Sequence, residues 1–145
     1  LLLNHPEQKQ RLIAQPELLK PAIEEMLRLE SPLQIGNRRT TQKTELGGQS
    51  ISAGTCLHLI IASANRDEDV FDHADEFIVD RNPNRHLAFS HGIHTCAGNS
   101  VARIEASIAF GRLLERFPDF TRASQTIRPH RSRFRVVDQL LINLE

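Results

Sequence analysis

The sequence predicts an α+β fold, mainly α with small β-sheets, in a single domain that covers residues 1–145. Two observations carry this prediction. Apolar residues recur at helical spacing from residue 97 to residue 117, and Pro118 ends the pattern. The pair Gly47-Gly48 separates two short extended stretches, as in a β-hairpin. A length of 145 residues fits one domain of this kind.

The first third of the chain predicts two helices and an extended segment. A helix is expected over Pro6–Ala14, and Pro16 closes that region. A second helix over residues 21–30 begins with proline at a first-turn position and ends at a Ser-Pro pair. Residues 33–41 are expected to be extended, and residues 32–36 are the only stretch that suggests the lining of an apolar pocket.

The rest of the chain predicts short strands and a long irregular segment. Residues 45–51 are typical of a hairpin, whereas the apolar residues 55–64 fit either a strand or a buried helix. Residues 67–85 predict an irregular meander, and loops of that length are usually functional or disordered. The basic residues 122–135 are read as a solvated face or, alternatively, a docking surface for an acidic electron donor. Residues 136–144 are expected to form a final strand.

Composition argues against several classes of partner. The 18 basic side chains balance 18 acidic ones, so the net charge favours neither nucleic acid nor a membrane surface. Trp and Tyr are absent, which removes the usual stacking platform for bases, and no window of 18 apolar residues predicts a membrane span. A cytoplasmic protein with two free thiols is expected, with Cys56 in the core. The chain begins with Leu1, which fits a fragment, a processed product or a short protein.

The most informative stretch runs from Phe89 to Gly98 and reads Phe-Ser-His-Gly-Ile-His-Thr-Cys-Ala-Gly. Cys96 lies between two glycines, just before the helix predicted at residue 97. A thiolate there would sit at the positive end of the helix dipole, which favours an anionic, metal-ligating sulfur. The alternative for a lone cysteine is a buried structural thiol.

This stretch resembles the heme-binding loop of the cytochrome P-450 superfamily, the heme-thiolate monooxygenases, in its soluble bacterial form. The pattern is Phe, two residues, Gly, one residue, His or Arg, one residue, Cys, one residue, Gly. Its five defined positions are met by Phe89, Gly92, His94, Cys96 and Gly98. The chain departs from many members by carrying Ser90 in place of a glycine. The resemblance runs nearly end to end but covers only the C-terminal third of the family's fold.

The resemblance implies heme b (iron protoporphyrin IX) as cofactor, with Cys96 as the axial ligand of the iron. Phe89, Gly92 and Gly98 belong to the loop that holds it, and the glycines allow positive φ and a close approach of backbone to a flat ligand. His94 matches the family position that binds a heme propionate, and His86 is a second propionate candidate. Arg38 matches a propionate-binding arginine by its spacing from the Gly-Gly turn, and Arg39 competes for that role.

The same resemblance assigns a structural charged network. Glu25 and Arg28 form a Glu-x-x-Arg pair, whose members share one face of a helix. In the family such a pair is buried and is completed by an arginine from the meander, a position that Arg81 fits. The residues 64–67, Ala-Asn-Arg-Asp, likewise resemble a recurrent family segment before the meander.

The function implied by the resemblance is monooxygenation of a small apolar organic substrate, with electrons from a ferredoxin-type or flavin donor. The family's oxygen-activating helix lies upstream of the part represented here, and the chain carries no Ala-Gly-x-x-Thr pattern. The isolated chain is therefore expected to show no turnover and to self-associate or pair with a separate N-terminal half. The alternative is a non-catalytic remnant or a small heme-binding module. A zinc site built on His91, His94 and Cys96 is a further alternative, but it lacks an obvious fourth ligand.

Overall fold

The computed structural model of the protein describes residues 1–127, 131 and 133–144. Within them the helices are α1 (Pro6–Ala14), α2 (Leu19–Leu29), α3 (Ile61–Ala64) and α4 (Asn99–Arg116). The strands are β1 (Ile35–Arg39), β2 (Thr44–Leu46), β3 (Gln49–Ile51), β4 (Cys56–Ile60), β5 (Thr121–Arg122) and β6 (Ile142–Asn143). The predicted α+β class is correct. None of the helices in this described part is long and apolar enough to cross a lipid bilayer.

The first two helices follow the prolines of the sequence. Helix α1 has its predicted bounds, with Pro6 in the first turn. Helix α2 begins two residues earlier than predicted because a short 3₁₀ turn, Pro16–Leu18, runs directly into it. Pro21 still lies in the first turn of α2, where its missing N–H breaks no intrahelical hydrogen bond.

The small sheets are antiparallel pairs. Strands β1 and β4 pair with Ile35 opposite Ile60 and Arg39 opposite Cys56. Strands β2 and β3 form the predicted hairpin, and both turn glycines, Gly47 and Gly48, have positive φ of 54° and 76°. The apolar stretch that fitted either a strand or a helix contains both, since β4 ends where α3 begins.

One expectation about the last part of the chain needs correction. The predicted final strand shrinks to β6, because its partner β5 is only two residues long. A single bridge between Ile127 and Gln139 is the other pairing of that region. The basic segment 122–135 falls partly on residues 128–130 and 132, which lie outside the described residues. Of its described arginines, Arg122 donates to Asn4 Oδ1 at 2.6 Å and Arg135 pairs with Glu30.

The hydrophobic core lies between α1, α2 and α4 and is closed by the meander. Residues 67–85 contain turns but no regular helix or strand, as predicted. They nevertheless deliver Phe77 and Val79 into the core, where the two side chains are 4% and 0% exposed. The core cluster consists of Leu2, Leu12, Ala22, Leu29, Phe77, Val79, Leu114 and Phe120. The meander is thus held against α2 by burial as well as by hydrogen bonds.

A fully buried carboxylate ties the meander to α2. Glu25 accepts hydrogen bonds from Arg28 at 2.7 and 2.8 Å and from Arg81 Nε at 3.0 and 3.1 Å. The Ile78 N–H and the Asn84 amide complete its shell, each at 3.1 Å. Burial works against ionisation of Glu25, but these donors outweigh it and lower its pKa. The three residues that the sequence analysis assigned to one network meet in the structure.

Arg28 also donates hydrogen bonds to backbone carbonyls. Its Nη1 donates to Asn65 O at 2.7 Å and to Ala74 O at 2.6 Å, and its Nη2 donates to Glu76 O at 3.0 Å. The guanidinium also lies over the Phe71 ring, 5.0 Å from its centroid. One buried side chain therefore contacts Phe71, Ala74 and Glu76 of the irregular segment and also the end of α3 at Asn65.

We predict that Glu25→Ala destabilises the protein by about 3–5 kcal/mol, because it leaves Arg28 buried without its counter-charge. The matched control is Glu115→Ala, which breaks an exposed pair of the same i,i+3 spacing with Arg112. An exposed pair of that kind contributes about 0.2–1 kcal/mol. Urea unfolding of the two variants measures the difference. Equal losses in both variants would contradict a buried role for Glu25.

Candidate functional site

The loop before α4 is built from two consecutive turns. The Ser90 N–H donates to Leu87 O at 2.8 Å and the Thr95 N–H donates to Gly92 O at 3.0 Å. The ends of the loop are joined by a hydrogen bond from the Cys96 N–H to Phe89 O at 2.9 Å. A 3₁₀ turn, Gly92–His94, begins at a glycine whose φ is +64°. This left-handed conformation explains the glycine at that position.

Cys96 lies three residues before the first residue of α4 and is exposed, as are all residues from 91 to 98. The N-cap of α4 is Gly98, which makes no side-chain cap, and the first turn carries no acidic residue. Gly98 has φ of −87°, so it does not use the positive φ that glycine allows. A Cβ built on it would lie 4.0 Å from Cys96 Sγ, in ordinary contact with the thiol. The N-terminus of α4 thus has no anionic cap of its own beside the thiol.

Ser90, the departure from the resemblance, has a backbone conformation that L residues rarely adopt, with φ of +63°. Its hydroxyl lies 3.4 Å from Arg38 Nη2. Arg38 also donates to Asn37 O at 2.8 Å. Successive side chains of β1 point to opposite faces of the sheet, so the competing Arg39 does not share the face of Arg38. The Arg39 Nη2 lies 3.5 Å from Cys56 Sγ. Of the two arginines, Arg38 is therefore the one beside the loop.

The three histidines in and before the loop differ in exposure and in hydrogen bonding. His94 and His91 are exposed in the loop. His86 is not: its side chain is 3% exposed, its Nε2 lies 3.0 Å from Glu24 Oε2, and its Nδ1 accepts from the Ala88 N–H at 3.2 Å. Both ring nitrogens are used inside the protein. The structure therefore does not favour His86 as a propionate ligand.

The zinc alternative has no ligand set in the described part of the chain, where no three His, Cys, Asp or Glu side chains gather in a way that could hold a metal ion.

Cys56, expected in the core, is exposed instead. It belongs to β4, on which Leu57 is half-buried and the other four residues are exposed.

An apolar groove of about 400 Å³ lies apart from the loop. Its lining includes Leu1, Met26, Phe110 and Val137, and Pro32 from the segment expected to line a pocket. Leu33 and Ile35, the other large apolar residues of that segment, are not among its lining residues. No residue from 89 to 98 belongs to this lining either.

The sequence did not indicate that two charged residues, Glu24 and Arg103, belong to the site. Arg103 of α4 forms a bidentate pair with Glu24 of α2, with Nε 2.7 Å from Oε1 and Nη2 2.8 Å from Oε2. Burial opposes ionisation of Glu24, but the hydrogen bonds from Arg103 and His86 lower its pKa. The same pairing raises the pKa of Arg103, and burial lowers the pKa of His86 despite Glu24. A glutamate 79 positions from its partner carries no local signal in a sequence.

Comparisons of the sequence with known proteins identify its family. The sequence model of the cytochrome P450 family matches residues 3–137. The biotin biosynthesis cytochrome P450 of Bacillus subtilis is 43% identical over 122 residues, which are 84% of this chain and 31% of that protein. The steroid C26-monooxygenase of Mycolicibacterium smegmatis is 44% identical over 130 residues, 90% of this chain and 32% of that protein. The chain thus spans about a third of the length of these relatives.

Solved structures show the same fold. P450BioI, crystallised with acyl carrier protein ligated to hexadec-9Z-enoic acid, matches with a TM-score of 0.96 and 40% identity over 99% of this chain and 38% of that one. CYP109E1 of Bacillus megaterium in complex with testosterone matches with a TM-score of 0.95 and 34% identity over 99% of this chain and 40% of that one. The buried Glu-x-x-Arg network, the cysteine loop and these matches lead to one conclusion: the chain belongs to the cytochrome P450 family and forms a portion of its fold.

Proposed function

We propose that this chain supplies the heme-thiolate side of a cytochrome P450 monooxygenase, in which Cys96 would bind the iron of heme b. The observation that carries the proposal is the exposed Cys96 thiol, held by its backbone N–H at the N-terminus of an 18-residue helix. A thiolate ligand donates electron density to heme iron and favours cleavage of the O–O bond.

The residues around the loop fit a heme group. The donor set is a single thiol, which suits a porphyrin that fills the equatorial positions of its own metal. Ile93 is 97% exposed, an apolar side chain available to contact a flat ligand. No heavy atom lies within 4 Å of a Cβ built on Gly92, so space is open there as well. Arg38 and His94 are the side chains that we propose for the propionates.

Each part of the chain then has a separate task. The Phe89–Cys96 backbone hydrogen bond orients the sulfur, and the Glu25 network holds the meander that leads into the loop. Oxygen insertion into a small apolar organic substrate, electron delivery by a ferredoxin-type or flavin donor, and a cytoplasmic location are proposed from family membership. The second candidate is a heme-binding module without turnover, which is supported by the position of the apolar groove apart from the loop.

We predict that Cys96→Ser abolishes the thiolate-type Soret band of the ferrous carbonyl complex, because a serine hydroxyl is not an anionic sulfur ligand. Cys56→Ser is the matched control, since Cys56 is the other exposed free thiol and lies in β4, apart from the loop. Carbon monoxide difference spectra of the heme-loaded protein make the measurement. A thiolate-type band that survives Cys96→Ser would disprove the assignment. A band in the parent without product formation from a reducing system and a substrate panel would support the heme-binding module.

We predict that Ser90→Gly stabilises the protein by about 0.5–1 kcal/mol. The left-handed conformation costs a non-glycine residue roughly 1–2 kcal/mol, which exceeds the roughly 0.5–1 kcal/mol that glycine's extra freedom costs on folding. Ser90→Ala is the control: it removes the hydroxyl near Arg38 but keeps the left-handed backbone, so it brings no gain. Thermal unfolding of the three proteins tests this, and a gain in Ser90→Ala equal to that in Ser90→Gly would refute the backbone argument.

We further propose that the polypeptide of residues 1–145, in isolation, self-associates through an apolar face of α4. Val101, Ile104 and Ile108 form an apolar stripe on α4 and are 58%, 59% and 62% exposed. Soluble monomers rarely expose continuous apolar patches beyond a few hundred Å². Light scattering should therefore show oligomers, and Ile104→Lys should reduce them, whereas Glu105→Lys, at an exposed position beside the stripe, should not. A monomer at high protein concentration would contradict this prediction.

A further inference from the structure

A second charged cluster lies behind the cysteine loop, separate from the buried Glu25 network. Glu24 joins three elements: α2, which carries it, α4, which contributes Arg103, and the segment before the loop, which contributes His86. The bidentate Arg103 pair at 2.7 and 2.8 Å has the geometry of a strong, directional ion pair. The Glu24 side chain is 28% exposed, so the pair is only partly open to solvent.

The cluster defines the state of His86. Its Nδ1 accepts a hydrogen bond from the Ala88 N–H at 3.2 Å, which leaves the proton on Nε2, 3.0 Å from Glu24 Oε2. The imidazole is therefore in one neutral tautomer and donates to the carboxylate. Its ring orientation is set from both sides.

These side chains hold Phe89 between them. The Arg103 guanidinium carbon lies 4.6 Å from the centroid of the Phe89 ring, and the His86 ring lies 6.3 Å from it. Phe89 O in turn accepts the hydrogen bond from the Cys96 N–H at 2.9 Å. A continuous set of contacts therefore runs from the Glu24 carboxylate to the backbone of the cysteine.

We propose that Glu24 is a positioning residue for the thiolate: through Arg103 and His86 it fixes Phe89, and Phe89 fixes the Cys96 backbone. This inference rests on the proposed function, in which Cys96 ligates heme iron. It assigns Glu24 a task different from that of its neighbour Glu25, which holds the meander. Loss of Glu24 leaves Arg103 with Asn99 Oδ1 at 2.8 Å, so the fold can survive its replacement.

The experiment compares Glu24→Gln with Glu115→Gln, which neutralises the exposed partner of Arg112 on α4. Hydrogen exchange of the Cys96 amide in the heme-free protein is the first readout. We expect it to rise about tenfold in Glu24→Gln, because the loop opens more often when a charge-assisted anchor is lost. Exchange in the β2–β3 hairpin is expected to stay unchanged, and Glu115→Gln is expected to match the parent at both places.

The second readout is the ferrous carbonyl spectrum of the heme-loaded protein, in which Glu24→Gln is expected to convert part of the thiolate-type band to a band without thiolate. Arg103→Lys, which keeps the charge but loses the bidentate fork, should act in the same direction and serves if Glu24→Gln does not fold. Unchanged Cys96 exchange in both variants, or an equal rise in the hairpin, would overturn the positioning role. Absence of a thiolate band in the parent would refute the proposed function, whereas the Cys96 exchange of the heme-free protein would still decide the role of Glu24.

Discussion

The structure depends on one carboxylate that has no contact with solvent. Glu25 is 0% exposed and yet ionised, a state that is stable only because two arginines, a backbone N–H and an amide surround it. Each of those donors comes from α2 or from residues 78–84. The charge therefore constrains the path of a segment that has no regular secondary structure, because another path would remove the donors from Ile78, Arg81 and Asn84.

The adjacent position on α2 extends this control to the loop. Successive residues of a helix point about 100° apart, so Glu25 faces the meander while Glu24 faces Arg103 of α4 and His86. Two neighbouring carboxylates thus anchor the two irregular segments that precede α4. The two also differ in burial: the Glu25 side chain is fully buried, whereas the Glu24 side chain is 28% exposed.

Local features of the sequence were sufficient wherever the structure is local. Prolines placed α1 and the first turn of α2, the glycine pair placed the β2–β3 turn, and apolar spacing placed α4. The resemblance also brought Arg81 to Glu25, although 56 positions separate them. What could not be read were pairings decided by tertiary packing. The contact between His86 and Glu24 could not be read because 62 positions separate the two residues. Cys56 was expected in the core because an apolar stretch does not reveal which residues of a strand are covered.

The segment from residue 86 to residue 98 has two parts: an anchored half held by side-chain contacts and a solvent-exposed half. Residues 86–90 hold the fixed contacts: His86 on Glu24, Phe89 beneath Arg103, and the Ser90 hydroxyl near Arg38. Residues 91–98 are all exposed, with Cys96 among them. A metal-ligating sulfur needs both properties, because its direction must be fixed while its coordinating face stays open. The only direct hydrogen bond from the anchored half to the cysteine in the described structure is the one from Cys96 N–H to Phe89 O, so the orientation of the thiol depends on how firmly Phe89 is held.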